Sequence, residues 1–191
     1  ERKLVYFSDT GNHRICKVSV DGVLSTFVGG GKGYRNGSGT NALFSSPTDL
    51  TIDPLGNLYV CDSGNSRIRK VTPEGVVLTL SGGERGFKDG AGIVARFGSP
   101  LGVAFTQTGH LLVFEKGDDR YRVRKVSPEG KTSTLPLDLS DMWRENMPAA
   151  PAMMGIAVDS NNAVFLSDYA NSKVYKLPLS RLVGSVQGLS D

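Results

Sequence analysis

The sequence predicts an all-β fold, namely a β-propeller of four-stranded antiparallel blades. The chain repeats itself with a period of about 50 residues, each repeat holds four short strand-like segments separated by turn residues, and no segment shows helical periodicity. Four short antiparallel strands in a repeat of this length are typical of a propeller blade.

The repeat is clearest in a hairpin that occurs four times. Its copies are "SDTGNHRICKV", "CDSGNSRIRKV", "EKGDDRYRVRKV" and "SDYANSKVYKL". They end at Val18, Val71, Val126 and Leu177, which are 53, 55 and 51 residues apart. The text before the hairpins recurs as "PTDLTIDPLGNLYVCD", "PLGVAFTQTGHLLVFE" and "PAMMGIAVDSNNAVFLSD". A repeat of this length indicates a propeller or an array.

Each element of one unit follows from its residues, and the four strands of a unit are called A to D here. "DLTID" alternates and carries β-branched residues, which predicts strand A, and "PLGN" is turn text. "NLYVCD" predicts strand B, "SGNS" a turn, and "RIRKVT" strand C. "PEG" is a tight turn before "VVLTLSG", which predicts strand D. The inner segments "LYVC" and "LLVF" are apolar throughout, as expected of a blade that packs on neighbours with both faces.

The chain is predicted to be one partial propeller over residues 1–191, with blades at 1–28, 47–81, 98–136 and 151–188. Because "KLVYFSD" matches "NLYVCD", the chain begins inside a blade and lacks that blade's strand A. About four blades are too few for the usual ring. We therefore expect further blades from outside this sequence or from another copy, and the apolar faces left open at both ends predict self-association.

The repeated text also resembles a known family. "DTGNHRICKV" and "DSGNSRIRKV", preceded by "P-x-x-x-x-I-D-x-x-G-N-L-Y-V", resemble the NHL repeat, and so does the connecting text "GKGYRNGSGTNALFSSP" and "GERGFKDGAGIVARFGSP". The resemblance covers nearly the whole chain and is weaker in the fourth copy. It implies a β-propeller, most often six-bladed, that acts as an interaction platform.

Composition excludes little. The 22 basic and 19 acidic residues give a formal net charge of +3, which does not by itself predict nucleic-acid binding. No apolar run approaches the ~18 residues of a membrane helix. The two cysteines, Cys16 and Cys61, lack metal-type spacing and could form a disulfide. Two cysteines do not make a disulfide framework, so they indicate no cellular compartment.

Residues that recur in every blade are predicted to be structural. A single ligand site does not need the same residues in each blade, whereas a fold does. The Asp of the hairpin can accept hydrogen bonds from its own turn, Gly or Asn can adopt positive φ, and Arg can reach back to the Asp. The recurring residues of the first two hairpins are Asp9, Gly11, Asn12, Arg14 and Lys17, and Asp62, Gly64, Asn65, Arg67 and Lys70.

Chain direction sorts the connections onto two faces. The B–C turns and the D–A connections are predicted to share one face, called the loop face here, and the A–B and C–D turns to share the other. The C–D turns "VDG", "TPEG" and "SPEG" are short and alike. Length and variety are concentrated on the loop face, so binding is expected there.

Two neighbouring segments of the loop face break the repeat. The third D–A connection, "LPLDLSDMWRENMPAAPAMM", contains no Gly but holds the only Trp and all four Met, residue types that suit interaction surfaces. The alternative is that this connection packs over the blades as a short helix or plug, with Met153 and Met154 in the core. The other segment is the third B–C turn. The predicted partner-binding residues are Met142, Trp143, Arg144, Met147, Asp118, Arg120, Tyr121 and Arg122.

No catalytic residue, cofactor or metal is predicted. His13 and His110 fall in turns on opposite faces, so they cannot share a metal or a triad. "GSGTNA" and "GAGIVA" match a dinucleotide-binding pattern but recur with the repeat and lack a strand-to-helix context.

Several acidic residues allow two readings. Glu115, Asp118 and Asp119 could hold Ca²⁺, but ion pairs with the adjacent Arg120 and Arg122 are favoured. Among the inner-strand residues Asp49, Asp53 and Asp159, the last two occupy equivalent repeat positions. They are therefore predicted to be turn residues.

These observations favour a non-enzymatic propeller that binds a protein through its loop face. One alternative is an RNA-binding NHL propeller, which the weak net charge disfavours. Another is a metal-dependent hydrolase or lyase-type propeller whose ligands lie in the missing blades.

Overall fold

The computed structural model describes residues 4–118, 120–137, 139 and 153–177, and in these ranges the chain is all-β. The strands form four antiparallel sheets arranged as the blades of a β-propeller, so the predicted fold class is confirmed. Among the described residues, no helix is long and apolar enough to cross a membrane. The six-bladed ring stays a prediction.

The first two blades differ in strand number. Blade 1 has three strands in the order β1-β2-β3, and blade 2 has five in the order β4-β8-β7-β6-β5. The strands of blade 1 are β1 Val5–Asp9, β2 Arg14–Val18 and β3 Leu24–Val28. Those of blade 2 are β4 Gly37–Ser38, β5 Pro47–Ile52, β6 Leu58–Asp62, β7 Arg67–Val71 and β8 Val76–Ser81.

Blades 3 and 4 continue the pattern. Blade 3 again has five strands, in the order β10-β11-β12-β13-β9, and three strands of blade 4 are described in the order β14-β15-β16. The strands of blade 3 are β9 Gly90–Ala91, β10 Ser99–Phe105, β11 Leu111–Lys116, β12 Tyr121–Val126 and β13 Lys131–Thr134. Those of blade 4 are β14 Met153–Val158, β15 Val164–Asp168 and β16 Lys173–Leu177, and residues 178–188 lie outside the described ranges.

The short outer strands β4 and β9 belong to the D–A connections, ahead of the predicted blade ranges 47–81 and 98–136. Each connection passes outside the blade that it leads into and adds a fifth strand to its outer edge, with Gly37 opposite Val77 and Gly90 opposite Thr132. The Gly-rich text "GSGTNA" and "GAGIVA" predicts loops at these positions. Each outer strand consists of two small residues, which show no alternation of apolar and polar side chains. Backbone hydrogen bonds hold these strands in the sheet, and a sequence pattern does not reveal such bonds.

The core consists of three apolar clusters, one between each pair of neighbouring blades. Strand β6 is buried along its whole length and contributes to two of them. Leu58 and Val60 pack toward blade 1, while Tyr59 and Cys61 pack toward blade 3. This alternation is the two-residue period of a strand that is covered on both faces.

The outer faces of blades 1 and 4 are uncovered among the described residues. Val5 and Phe7 are 60% and 39% exposed, although the equivalent Leu58 and Val60 of blade 2 are 1% and 0% exposed. In blade 4, Val174 is 70% exposed. Apolar side chains that a neighbouring blade buries inside the row therefore meet solvent at its two ends.

Candidate functional site

Contacts between B–C turns and D–A connections define the loop face. The Gly64 amide donates to the Ser45 carbonyl at 2.8 Å, and the Ser46 amide donates to His13 Nδ1 at 3.0 Å. On the opposite face, Gly56 of an A–B turn lies against Pro73 of a C–D turn, since a Cβ added to Gly56 would lie 3.3 Å from the proline ring.

A buried arginine joins the hairpin of blade 2 to the connection that leads into this blade. Arg69 Nη1 donates to Asp62 Oδ2 at 2.7 Å, and both side chains are 0% exposed. Its Nη2 donates to Asn36 Oδ1 at 2.8 Å and to the Arg35 carbonyl at 3.1 Å. Asp62 Oδ1 also accepts the Ser45 amide at 2.8 Å. The pair therefore ties the turn, the strand and the connection together.

Blade 3 repeats this arrangement with a glutamate. Arg124 Nη1 donates to Glu115 Oε1 at 2.6 Å, and Glu115 Oε2 accepts the Gly98 amide at 2.7 Å. Arg124 Nη2 reaches Asp89 Oδ1 at 2.8 Å and the Lys88 carbonyl at 3.0 Å. Asp89 corresponds to Asn36 in the repeat, so two connections with different side chains are held in the same way.

Which arginine reaches the aspartate depends on the residue two positions later. In blade 1 that residue is Cys16, and Arg14 pairs with Asp9 at 2.8 Å as expected. The corresponding expectation for Arg67 is wrong, because Arg69 occupies the carboxylate of Asp62 and Arg67 donates to the Asn65 carbonyl instead. The signal available in the sequence was the residue type, because the apolar Cys16 stands where blades 2 and 3 have Arg69 and Arg124.

The conformation of the hairpin turn also differs from the expectation that Gly or Asn adopts positive φ. The left-handed residues are His13, Ser66 and Ser172, with φ of 58°, 54° and 52°. Gly64 is required by a close approach instead, since a Cβ there would lie 2.8 Å from the Ser45 carbonyl oxygen. The expected bonds within the turn are present, with Asn65 Nδ2 donating to Asp62 Oδ2 at 2.8 Å.

Aromatic rings of the connections stack on arginines of the hairpins. The guanidinium of Arg67 lies 4.0 Å from the ring centroid of Tyr34, and that of Arg122 lies 4.1 Å from the centroid of Phe87. Tyr34 is 45% exposed and Phe87 is 53% exposed. The rings therefore present aromatic surface to solvent and hold the guanidinium planes in place.

An open groove lies between the B–C turn of blade 2 and the connection into blade 3. Its volume is about 380 Å³. Arg85 of the connection forms an ion pair with Asp118 at 3.0 Å, and these side chains are 61% and 82% exposed. Glu84 is paired with Arg96 at 2.9 Å. The groove is lined by Ser63, Gly64, Asn65, Ser66, Arg67, Gly83, Glu84, Arg85 and Ser99.

Of the described members of the predicted partner-binding set, Asp118 and Arg122 contact the connection that forms one wall of this groove. Asp118 reaches it through Arg85, and Arg122 packs on Phe87. Tyr121 stacks on the buried Phe114 with ring centroids 5.2 Å apart. The carbonyl of Arg120 accepts the Gly117 amide at 2.8 Å.

The other four predicted partner-binding residues, Met142, Trp143, Arg144 and Met147, lie outside the described residues, so their role stays a prediction. Conversely, sequence analysis missed the groove itself. It treated the hairpin of blade 2 as scaffold because its residues recur, and the recurring text gave no sign that Arg67 lacks a carboxylate partner.

Two of the three acidic residues considered for Ca²⁺, Glu115 and Asp118, form ion pairs with partners other than those expected. Glu115 pairs with Arg124 and Asp118 pairs with Arg85, whereas the sequence suggested Arg120 and Arg122. Asp119 lies outside the described residues. In the described ranges no group of three His, Cys, Asp or Glu residues could hold a metal ion.

The aspartates of the inner strands and turns have structural contacts. Asp53 Oδ1 accepts the Leu55 and Asn57 amides at 2.9 and 2.8 Å, and Asp159 Oδ1 accepts two amides of its own turn in the same way. Asp49 Oδ2 accepts the Val103 amide at 2.9 Å and so links blades 2 and 3. Burial raises the pKa of Asp49, and the two amides that it accepts oppose this shift.

Both cysteines are buried free thiols, so Cys16 and Cys61 do not pair with each other. Burial raises the pKa of the Cys61 thiol well above its usual value. Neither the position nor the protonation state of Cys61 suits a nucleophile.

The geometry and the comparisons with known proteins agree on the class of protein, a β-propeller. The fold is similar to that of virginiamycin B lyase from Staphylococcus aureus, with a TM-score of 0.58 at 14% identity over 93% of this chain and 49% of that one. At this identity the similarity concerns the fold alone.

Sequence comparison identifies the kind of propeller. Residues 44–71 match the family model of the NHL repeat. NHL repeat-containing protein 2 of Homo sapiens is 29% identical over 157 residues, covering 69% of this chain and 22% of that protein. The chain is therefore a β-propeller that contains an NHL repeat at residues 44–71 and is similar to NHL repeat-containing proteins.

Two further relatives have different names. Protein SUPPRESSOR OF QUENCHING 1, chloroplastic, of Arabidopsis thaliana is 28% identical over 149 residues, covering 72% of this chain and 14% of that protein. A probable peptidyl-alpha-hydroxyglycine alpha-amidating lyase of Caenorhabditis elegans is 28% identical over 135 residues, covering 69% of this chain and 37% of its own length. The chain thus spans only a minor part of each relative.

Proposed function

We propose that this NHL-repeat propeller is a non-enzymatic interaction module that binds a protein partner through its loop face. The observation that carries the proposal is the groove of about 380 Å³ between the B–C turn of blade 2 and the connection into blade 3. It lies where the connections are longest and most varied, and its walls are charged and polar.

The buried ion pair between Arg69 and Asp62, and the equivalent pair of Arg124 and Glu115 in blade 3, hold the turns and connections that form the groove. These bonds fix the turns and connections before a partner arrives. A preorganised surface loses less conformational entropy on binding than a flexible one. The scaffold residues therefore serve binding indirectly.

The surface next to the groove has the composition of interaction sites. Arg85 and Asp118 are exposed charged residues, and Phe87 presents about half of its ring to solvent. Aromatic residues and arginines are enriched where proteins meet, and exposed charges guide the encounter. The divergent third connection, with Trp143 and its methionines, is proposed to extend the same surface.

The proposal is tested by affinity capture from a cell extract, with and without nuclease. Three forms of the chain are compared: the unchanged chain, a variant with residues 137–150 replaced by "GERGFKDGAGIVAR", and the double variant E84K/R85E in the groove. The matched control is L55E, because Leu55 is 81% exposed and lies in an A–B turn on the opposite face.

Protein partners that L55E retains and either loop-face variant loses would support the proposal. Partners captured equally by all forms would reject the loop face as the binding surface. Capture that disappears with nuclease would indicate RNA binding instead.

A second candidate function is catalysis, because one relative is named as a probable amidating lyase. An enzyme of this kind would take its metal ligands from several blades. Metal analysis of the purified full-length protein distinguishes the two, since a stoichiometric bound metal would contradict the non-enzymatic proposal.

A further inference from the structure

We propose that the groove between blades 2 and 3 binds a carboxylate of an acidic peptide segment in the partner, and that Arg67 is the residue that receives it, with Arg85 as a second donor. This inference rests on the proposed function and names the chemistry of the partner at the same site.

The first argument is charge balance at Arg67. Its repeat equivalent Arg14 has a carboxylate partner, Asp9, at 2.8 Å. In blade 2 the corresponding carboxylate of Asp62 is taken by Arg69 at 2.7 Å. Among the described residues, the hydrogen bond that Arg67 makes goes to the neutral Asn65 carbonyl, and no carboxylate pairs with it. A partly buried guanidinium without a counter-ion favours an incoming anion.

The second argument is preorganisation. The Arg67 guanidinium is stacked on Tyr34 at 4.0 Å, which fixes its plane. Its Nε is buried and has no hydrogen-bond partner. The Nε atoms of Arg69 and Arg124 are also unpartnered, but these side chains are sealed in the blade, whereas Arg67 lines the open groove. A planar fork held in place suits a carboxylate better than a mobile ammonium would.

The third argument is that the other polar groups of the groove are already engaged. Ser66 Oγ donates to the Gly98 carbonyl at 2.7 Å, and Asn65 Nδ2 donates to the Gly33 carbonyl at 2.8 Å. Glu84 is neutralised by Arg96. The ion pair of Arg85 with Asp118 is exposed on both sides, so an incoming carboxylate can replace Asp118 at little cost.

The same charges disfavour a nucleic acid at this place. Glu84 and Asp118 lie beside the two arginines, and a chain of phosphates would pass close to both carboxylates. A single acidic side chain needs only the two arginines that line the groove, Arg67 and Arg85. An acidic peptide segment is therefore the partner that the groove fits.

The test is a titration of the whole 191-residue chain with a capped tetrapeptide of sequence EDED, compared with a capped QNQN peptide, at low salt. Binding is followed through the side-chain Nε–Hε resonance of Arg67 in the ¹⁵N correlation spectrum, assigned by its loss in R67K. We expect EDED to shift this resonance and QNQN to leave it unchanged.

Variants give the quantitative prediction. R67Q is expected to lower the affinity for EDED by roughly tenfold or more, since charge-assisted hydrogen bonds are lost. The matched control R14Q, at the equivalent position of blade 1, should bind as the unchanged chain does. D118N releases Arg85 and should raise the affinity roughly two- to fivefold. This last variant changes an exposed side chain, so its result does not depend on the folding of R67Q.

Three results would overturn the inference: an Arg67 resonance that EDED does not shift, equal effects of R67Q and R14Q, or no gain of affinity in D118N. Tighter, Arg67-dependent binding of a ten-nucleotide uridine RNA would assign the groove to nucleic acid instead. Protein capture that depends on the loop face but survives R67Q would leave the proposed function intact and remove this inference alone.

Discussion

At the scale of single residues, the central feature is an arginine that is completely buried and makes four hydrogen bonds. Arg69 is 0% exposed and bonds to one carboxylate, one amide side chain and two backbone carbonyls. Removing one partner of such a pair leaves an uncompensated charge in a low-dielectric environment. Loss of either Arg69 or Asp62 alone is therefore expected to destabilise the fold strongly.

We expect R69M to lower the free energy of unfolding by about 3–5 kcal/mol, because Asp62 would stay buried without its counter-ion. Urea unfolding at neutral pH measures the effect. The control is R85M, whose exposed ion pair should contribute less than about 1 kcal/mol. A similar loss in both variants would contradict the special role of burial.

Asp53 predicts a dependence of stability on pH. Burial alone would raise its pKa, but hydrogen bonds from Asn57, Tyr59 and the Leu55 amide outweigh burial and lower the pKa. The folded pKa thus lies below the unfolded value of about 3.9, so the contribution of Asp53 is complete above that value and is lost as pH falls through the folded pKa.

The measurement is the difference in unfolding free energy between the unchanged chain and D53N across a pH series. We expect D53N to be less stable at neutral pH and the difference to shrink below about pH 4. A difference that stays constant down to the acid limit would show that the charge of Asp53 makes no contribution.

At the scale of elements, the unit of construction is a hairpin together with the connection that precedes its blade. The connection adds the outer strand β4 or β9, and its carbonyls accept hydrogen bonds from the buried arginine. The B–C turn of blade 2 also contacts the connection directly, because Gly64 packs on Ser45. In the described part of the loop face, turn and connection hold each other through these contacts.

Gly64 and Gly11 occupy the same repeat position and give a matched test of this contact. A Cβ at Gly64 would lie 2.8 Å from the Ser45 carbonyl oxygen, whereas nothing lies within 4 Å of a Cβ at Gly11. We expect G64A to destabilise the chain by roughly 1–3 kcal/mol and G11A to have little effect, measured by urea unfolding. Equal effects would mean that backbone entropy alone decides both positions.

At the scale of the whole molecule, the described residues form a row of four blades and leave the outer faces of blades 1 and 4 uncovered. Val5 and Phe7 at one end and Val174 at the other are exposed, although their equivalents between blades are buried. Contiguous apolar surface of this kind favours association.

We expect the chain to self-associate in a concentration-dependent way and the double variant V5K/F7E to reduce this association. Sedimentation velocity over a range of concentrations measures it. L55K serves as control, because Leu55 is 81% exposed but lies in a turn away from the ends. Association that V5K/F7E leaves unchanged would place the contact elsewhere.

The sequence by itself determined the repeat, the antiparallel blades and the two faces on which the connections lie. These features follow from local patterns: strand alternation, turn residues and the regular spacing of the hairpins. The turn role of Asp53 and Asp159 could be predicted for the same reason, since their hydrogen bonds stay within four residues.

Only the tertiary structure decided which arginine is buried, which keeps no carboxylate partner, and where the groove opens. Arg69 reaches carbonyls that lie 26 and 34 residues away in the chain, and a backbone carbonyl has no residue type that a sequence could reveal. Arg67 and Arg69 are the same residue two positions apart. Both side chains lie on the same face of strand β7, so what separates them is which one takes the single carboxylate that both could reach, that of Asp62.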